Sequence, residues 1–154
     1  MELASIVLTS AHVLAGAAWF GSMFYSLTVL HPRAQRYFET PDEFEHFITT
    51  VSDGSRSKVL GAFGFIAITG LALLLLSVPR TISYLWLTLI GFKIILFFVA
   101  LVVFWYTSWR LWPARIFATP DEIPTFQRRF RTISRTMIAL VGLNFVLGIV
   151  AHAI

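Results

Sequence analysis

Two nitrogen bases, His12 and Lys93, stand deep inside long apolar segments of this chain and occupy the same place in two related halves. An ionisable side chain is costly at membrane depth, which makes each a functional-site candidate on energetic grounds alone. A neutral imidazole offers a lone pair to a metal. A lysine amine offers one only when neutral, and when charged it needs an anion beside it. Sliding the chain on itself reveals the pairing. With a shift of 81 positions, Phe24-Tyr25-Ser26 falls on Trp105-Tyr106-Thr107, Leu30 on Leu111, Pro32 on Pro113 and His12 on Lys93. With two residues fewer in the second copy, Arg36, Phe38 and Thr40-Pro41-Asp42-Glu43 fall on Arg115, Phe117 and Thr119-Pro120-Asp121-Glu122. Each half thus contributes one base at one depth.

The elements that carry these bases are hydrophobic. Of 154 residues 57% are hydrophobic and 13% charged, which excludes a soluble globular chain. Four apolar stretches, 3–30, 58–78, 82–109 and 134–154, are each long enough to cross a bilayer. The sequence therefore predicts an all-α fold, a four-helix transmembrane bundle running up-down-up-down. It is read as a single transmembrane domain, 1–154, built from a two-helix unit repeated over 3–78 and 82–154, with the halves related by a pseudo-twofold axis along the membrane normal. The first stretch is not expected to be a cleavable signal peptide, because no basic residue precedes it and its apolar run is too long. With no cysteine in the chain, disulfides, thiolate metal sites and Fe–S clusters are excluded.

The basic residues are distributed one-sidedly. Arg33, Arg36, Arg56, Lys58, Arg110, Arg115, Arg128, Arg129, Arg131 and Arg135 adjoin the two long loops, against Arg80 alone on the other side. That asymmetry predicts cytoplasmic long loops and both termini outside. It also accounts for the high isoelectric point without invoking nucleic acid. Within each unit the odd helix is expected to end before Pro32 or Pro113. Thr40 and Thr119 are expected to N-cap the next helix, each with proline at the first position and glutamate closing a capping box. Phe44, Phe47, Ile48 and Val51, and likewise Phe126, Phe130, Ile133 and Met137, follow at one-face spacing. Asp53-Gly54-Ser55 should break the helix in the first copy only. Pro79 and Arg80 should form a tight outer turn.

Counting inward from the outer ends puts His12 and Lys93 each about 13 Å deep. Thr69, Gly70 and Asn144 reach the same layer, so every span contributes a polar or small residue to it. His12 shares a helical face with Gly16, Trp19 and Met23. Glycine beside an imidazole leaves room for a flat, bulky ligand, of which Trp19 could form one wall. The alternative use of this layer is helix packing, with His12 bonded to Asn144 or a carbonyl. Lys93 is too deep to reach either surface comfortably. His31 reads as an interface residue, His46 carries no motif, and His152 lies too near the outer surface to pair with His12.

The run His12-Val13-Leu14-Ala15-Gly16-Ala17-Ala18-Trp19-Phe20-Gly21-Ser22-Met23-Phe24-Tyr25 resembles the first helix of the HemJ-type protoporphyrinogen oxidases. It resembles equally the opening helix of the CopD copper-resistance domain family. Gly91-Phe92-Lys93-Ile94-Ile95-Leu96 is similar to the lysine-bearing helix of both. The first resemblance implies a bacterial-type plasma membrane protein binding haem b, with His12 as metal ligand and Lys93 in a catalytic or ligating role. Gly16, Trp19, Gly70 and Asn144 would line that cofactor. Where the HemJ-type group carries Asn-Glu-x-Pro before its last helix, this chain has Arg131-Thr132-Ile133-Ser134-Arg135-Thr136, so the resemblance reaches haem binding further than the oxidase reaction. Three functions follow. One is a haem-b redox protein acting on a porphyrin or quinone-type substrate. The second is copper transport through His12, Met23 and Asn144, although Cu(I) prefers Cys and Met and only Met1, Met23 and Met137 are present. The third is an accessory subunit of a homo-oligomer or larger membrane complex.

Overall fold

The computed structural model describes residues 2–77 and 83–153. The outer turn expected at Pro79 and Arg80 lies outside them. Helix α1 (Glu2–Tyr25) continues through a π-helical segment (Ser26–Leu30) into α2 (His31–Tyr37). After α3 (Pro41–Ser52) come α4 (Ser55–Ser77) and α5 (Tyr84–Tyr106). A second π segment (Thr107–Leu111) leads into α6 (Trp112–Ile116), and α7 (Ile123–Ala153) closes the chain. Four helical stretches are long and apolar enough to span a membrane: Leu3–Tyr37, Ser55–Leu76, Tyr84–Ile116 and Ile123–His152. Only 6 to 11% of the residues in their apolar windows are buried within the protein. Leu14, Ile68, Phe98 and Ile149 are exposed, and side chains like these require lipid around them. The protein is a multi-pass membrane protein.

The register of the bundle is fixed by large side chains seated on small ones. Helix α1 packs on α4, α5 on α7, and α1 on α7. Phe20 lies over Gly142 and Phe145 over Gly16, so α1 and α7 run antiparallel. The core draws on all four spans: Trp19 from α1, Phe63 from α4, Ala100 from α5, and Met137 with Val141 from α7. Trp19 meets Phe63 edge to face at 4.5 Å between ring centroids. Phe63 in turn reaches Phe97 and Phe104 and joins α4 to α5. Without a hydrophobic force between helices in lipid, such close apposition is what holds a membrane bundle together.

The prolines do not end the odd helices as expected. Each helix runs on past its proline through a π segment, and the two segments begin 81 residues apart, at Ser26 and Thr107. In the π register the His31 N–H donates to the Ser26 carbonyl and the Trp112 N–H to the Thr107 carbonyl. The wider turn makes room for the pyrrolidine ring that an unbroken α-helix would reject. One carbonyl is stranded by this arrangement in the second copy. Ser108 C=O has lost Trp112 N–H to Thr107, and Pro113 has no N–H to offer. Arg56 from α4 donates to it at 2.5 Å, with its guanidinium 4.7 Å from the Trp109 ring centre.

The loop-side helices begin differently in the two copies. At Thr40 the expected capping box forms in full. At Thr119 it does not: Thr119-Pro120-Asp121-Glu122 folds as a turn, and α7 starts only at Ile123. There the Glu122 carboxylate accepts from the Thr119 N–H and hydroxyl, while the Glu122 N–H goes to the Thr119 carbonyl. The break at Asp53-Gly54 is present, with Gly54 at φ +68°, a region a side chain disfavours. Lacking such a breaker, α7 is unbroken over 31 residues. On α3, Phe44 and Ile48 are buried and Phe47 packs against them, but Val51 is exposed.

One buried ion pair ties the halves together on the loop side. Arg115 of α6 grips Glu45 of α3 with two hydrogen bonds, at 2.7 and 2.8 Å, and Gln127 of α7 adds a third at 2.9 Å. The Arg115 guanidinium also faces the Trp112 and Phe130 rings. Desolvation pushes the Glu45 carboxyl upward, but the bonds from Arg115 and Gln127 and the charges of Arg115 and His31 outweigh it and hold it below the ordinary carboxylate value. A carboxyl held low in the folded state stabilises fully above its unfolded pKa and loses that effect as pH falls through its folded one. Thermal unfolding in detergent should therefore show stability declining below about pH 4, with Glu45→Gln flattening that part of the profile.

Candidate functional site

His12 and Lys93 each rest on a glycine of the helix that pairs with their own. A methyl group at Gly70 would stand 3.1 Å from His12 Cε1, and one at Gly148 would stand 2.7 Å from Lys93 Nζ. The Cε1–Nδ1 edge of the imidazole thus occupies the notch that Gly70 leaves on α4, and the amine lies against Gly148 on α7. Gly16 meeting Phe145 sets His12 about level with Gly148 by counting one turn outward on each antiparallel helix. The two bases therefore come to one layer.

The tautomer of His12 follows from its partner. His12 Nδ1 lies 2.8 Å from Thr69 Oγ1. The single hydroxyl hydrogen of Thr69 is committed to its own helix, to the carbonyl of Phe65 at 2.7 Å with Ile66 at 3.2 Å. Thr69 must then accept, so Nδ1 carries the proton and Nε2 keeps its lone pair. A metal-ligating histidine is held in this way, its far N–H donated to an oxygen that fixes ring and tautomer.

Among the described residues no carboxylate pairs with Lys93. The eight acids of the chain are Glu2, Glu39, Asp42, Glu43, Glu45, Asp53, Asp121 and Glu122, all at the ends of spans or between them. Among the described residues the one ion pair is Arg115–Glu45. An amine so placed is either neutral, and then a base or ligand, or awaits an anion from outside the chain.

The other expected residues divide. Thr69 and Gly70 are at the site, touching His12 directly. Asn144 is in the layer but turned to another use, its amide donating to the Lys93 main-chain carbonyl at 2.9 Å. It does not bond His12, and it orients α5 on α7 instead. Gly16 packs against Phe145, not against the imidazole. Trp19 is buried in the core, with one edge on a groove of about 430 Å³ between α1 and α4. Gly148, the seat of Lys93, was not singled out from sequence. The signal for it was present, since Gly64 and Gly70 recur six apart as Gly142 and Gly148. Among the described residues no three of His, Cys, Asp and Glu converge as a metal cluster. Compared with protein-family models, curated proteins and solved structures, the chain matches none.

Proposed function

We propose that this chain is a haem-b-binding redox protein of the plasma membrane, with its cofactor at the layer of His12 and Lys93. The observation that supports it most is the His12–Thr69 bond, which leaves Nε2 as a lone pair fixed in direction. His12 would then ligate the iron. Lys93 would hold the same group, as a ligand if its amine is neutral or beside a propionate if it is charged. Bound haem would supply one-electron chemistry at that layer, and the protein's part is ligation, burial and electron access. Porphyrin or quinone-type substrates would reach this layer from the surrounding lipid. The one-sided arginines support cytoplasmic long loops, which reporter fusions near residues 45 and 120 would test.

Gly70→Ala is a sharp probe of the site. A methyl group 3.1 Å from His12 Cε1 makes the ring give by a few tenths of an ångström, which turns Nε2 off its line, so haem per protein should fall while the helical content holds. The first experiment is simpler: a visible spectrum of the detergent-purified protein, in which a reduced-minus-oxidised Soret and α-band pair supports this reading. Colourless protein carrying stoichiometric copper supports a transporter instead, although Met23 lies eleven residues from His12, roughly 16 Å along α1, and Asn144 is engaged elsewhere.

A second reading has its own support. His12–Thr69 and Asn144–Lys93 each lie within one helical hairpin, as bonds that serve packing alone would. An accessory subunit of a larger membrane complex would need no more than this.

A further inference from the structure

On the loop side a basic groove of about 660 Å³ lies between the start of α7 and the end of α5. Arg128 and Arg129, with Thr125 and Thr132, form one wall, and Tyr106 and Leu111 stand on the other side. No acid lines it, and neither arginine is ion-paired to a described residue. The nearest acid in the chain, Glu122 just before α7, accepts bonds from Thr119. The groove lies at the loop-side end of the spans, where α7 begins and the π segment after α5 ends. Tyr106, which lines it, is half exposed, as aromatic residues are at a membrane boundary, and the apolar run of α7 begins just beyond, at Met137. Topology alone would be satisfied by arginines anywhere on this side. It does not require two of them to converge over an apolar floor.

We propose that this groove seats the phosphate of an anionic phospholipid from the adjoining leaflet. Arg128 and Arg129 hold the phosphate, and the first carbons of the acyl chains pass between Tyr106 and Leu111. A basic rim above an apolar floor matches an amphiphile better than a free anion. The site belongs to the second half of the chain alone, because the positions that match Arg128 and Arg129 in the first half are Thr49 and Thr50.

The test is titration of delipidated protein with phosphatidylglycerol or phosphatidylcholine, read by native mass spectrometry. One phosphatidylglycerol should bind in preference to phosphatidylcholine. An arginine near an anionic lipid contributes about a fivefold factor, so R128Q/R129Q should weaken binding about 25-fold. R33Q/R36Q removes the same charge from exposed residues on the same side and should leave it nearly unchanged. Equal weakening in R33Q/R36Q reduces the effect to diffuse attraction and overturns the proposal. Displacement of the lipid by an equal concentration of inorganic phosphate overturns it as well, in favour of a free-anion site. The readout is lipid rather than absorbance, and the proposal stands or falls independently of haem.

Discussion

Alanine at His12 is expected, on the proposed haem reading, to leave the purified protein without colour, its haem affinity lowered by about 100-fold or more. Loss of even the group that orients a ligating histidine costs about 10- to 100-fold, and loss of the ligand itself should exceed that. Thr69→Val keeps the shape of the side chain but removes the oxygen that fixes the Nδ1 proton. It should fall within the 10- to 100-fold range and broaden the spectrum as the ring gains freedom. Lys93→Met offers a neutral thioether and should preserve some binding with an altered spectrum and potential, since the axial ligand is a main determinant of both. Lys93→Ala distinguishes the two roles of the amine. A ligand lost changes the spectrum, whereas a propionate partner lost weakens binding and leaves the bands in place. If the layer serves packing alone, His12→Asn is tolerated and no variant changes any absorbance. Wild-type protein that binds no haem when expressed with ample supply sinks the haem reading and leaves the accessory-subunit reading in its place.

Breaking the Arg115–Glu45 pair should be the most destabilising change on the loop side. The two side chains are 4% and 12% exposed, so removal of either strands a buried charge, which costs about 3–5 kcal/mol. Arg115→Met leaves the Glu45 carboxylate with Gln127 alone, and Glu45→Ala leaves the guanidinium under Trp112 and Phe130 with no anion. The double change Arg115→Met with Glu45→Leu should recover much of the loss, because an apolar pair of similar volume is often neutral relative to a buried ion pair. Thermal unfolding of the three variants in detergent gives the coupling directly. Single costs below about 1 kcal/mol, the scale of a surface pair, would show that the bridge does not join the halves.

The four spans were readable because membrane helices obey a single strong constraint, an apolar run of sufficient length. The layer of His12, Thr69, Gly70, Lys93 and Asn144 was readable for a related reason, since depth follows from counting residues. What counting could not supply was direction. Asn144 lies in the layer yet turns to a carbonyl, and Gly16 shares a face with His12 yet packs on Phe145. The odd helices were expected to stop at Pro32 and Pro113 because proline opposes the α conformation before it. The π register removes that conflict, and nothing in the local sequence announces it. Arg56 on Ser108 and Glu45 on Arg115 were missed for a third reason. Both join one half of the repeat to the other, and their partners are set by how the halves pack. The match of Ser55-Arg56-Ser57 to Ser134-Arg135-Thr136 was a signal that passed unused.

The seating of each base on its own hairpin bears on how the chain enters a bilayer. The His12 ring is sheltered by Thr69 and Gly70, and the Lys93 amine by Gly148, in each case on the next long span of the chain. A nascent chain that delivers its spans two at a time thus brings each costly group into the lipid already covered. Neither hairpin has to wait for the other. The layer that comes together at the end is assembled from two pieces that are separately fit to insert, and biogenesis of the first half need not be delayed until the last helix is made.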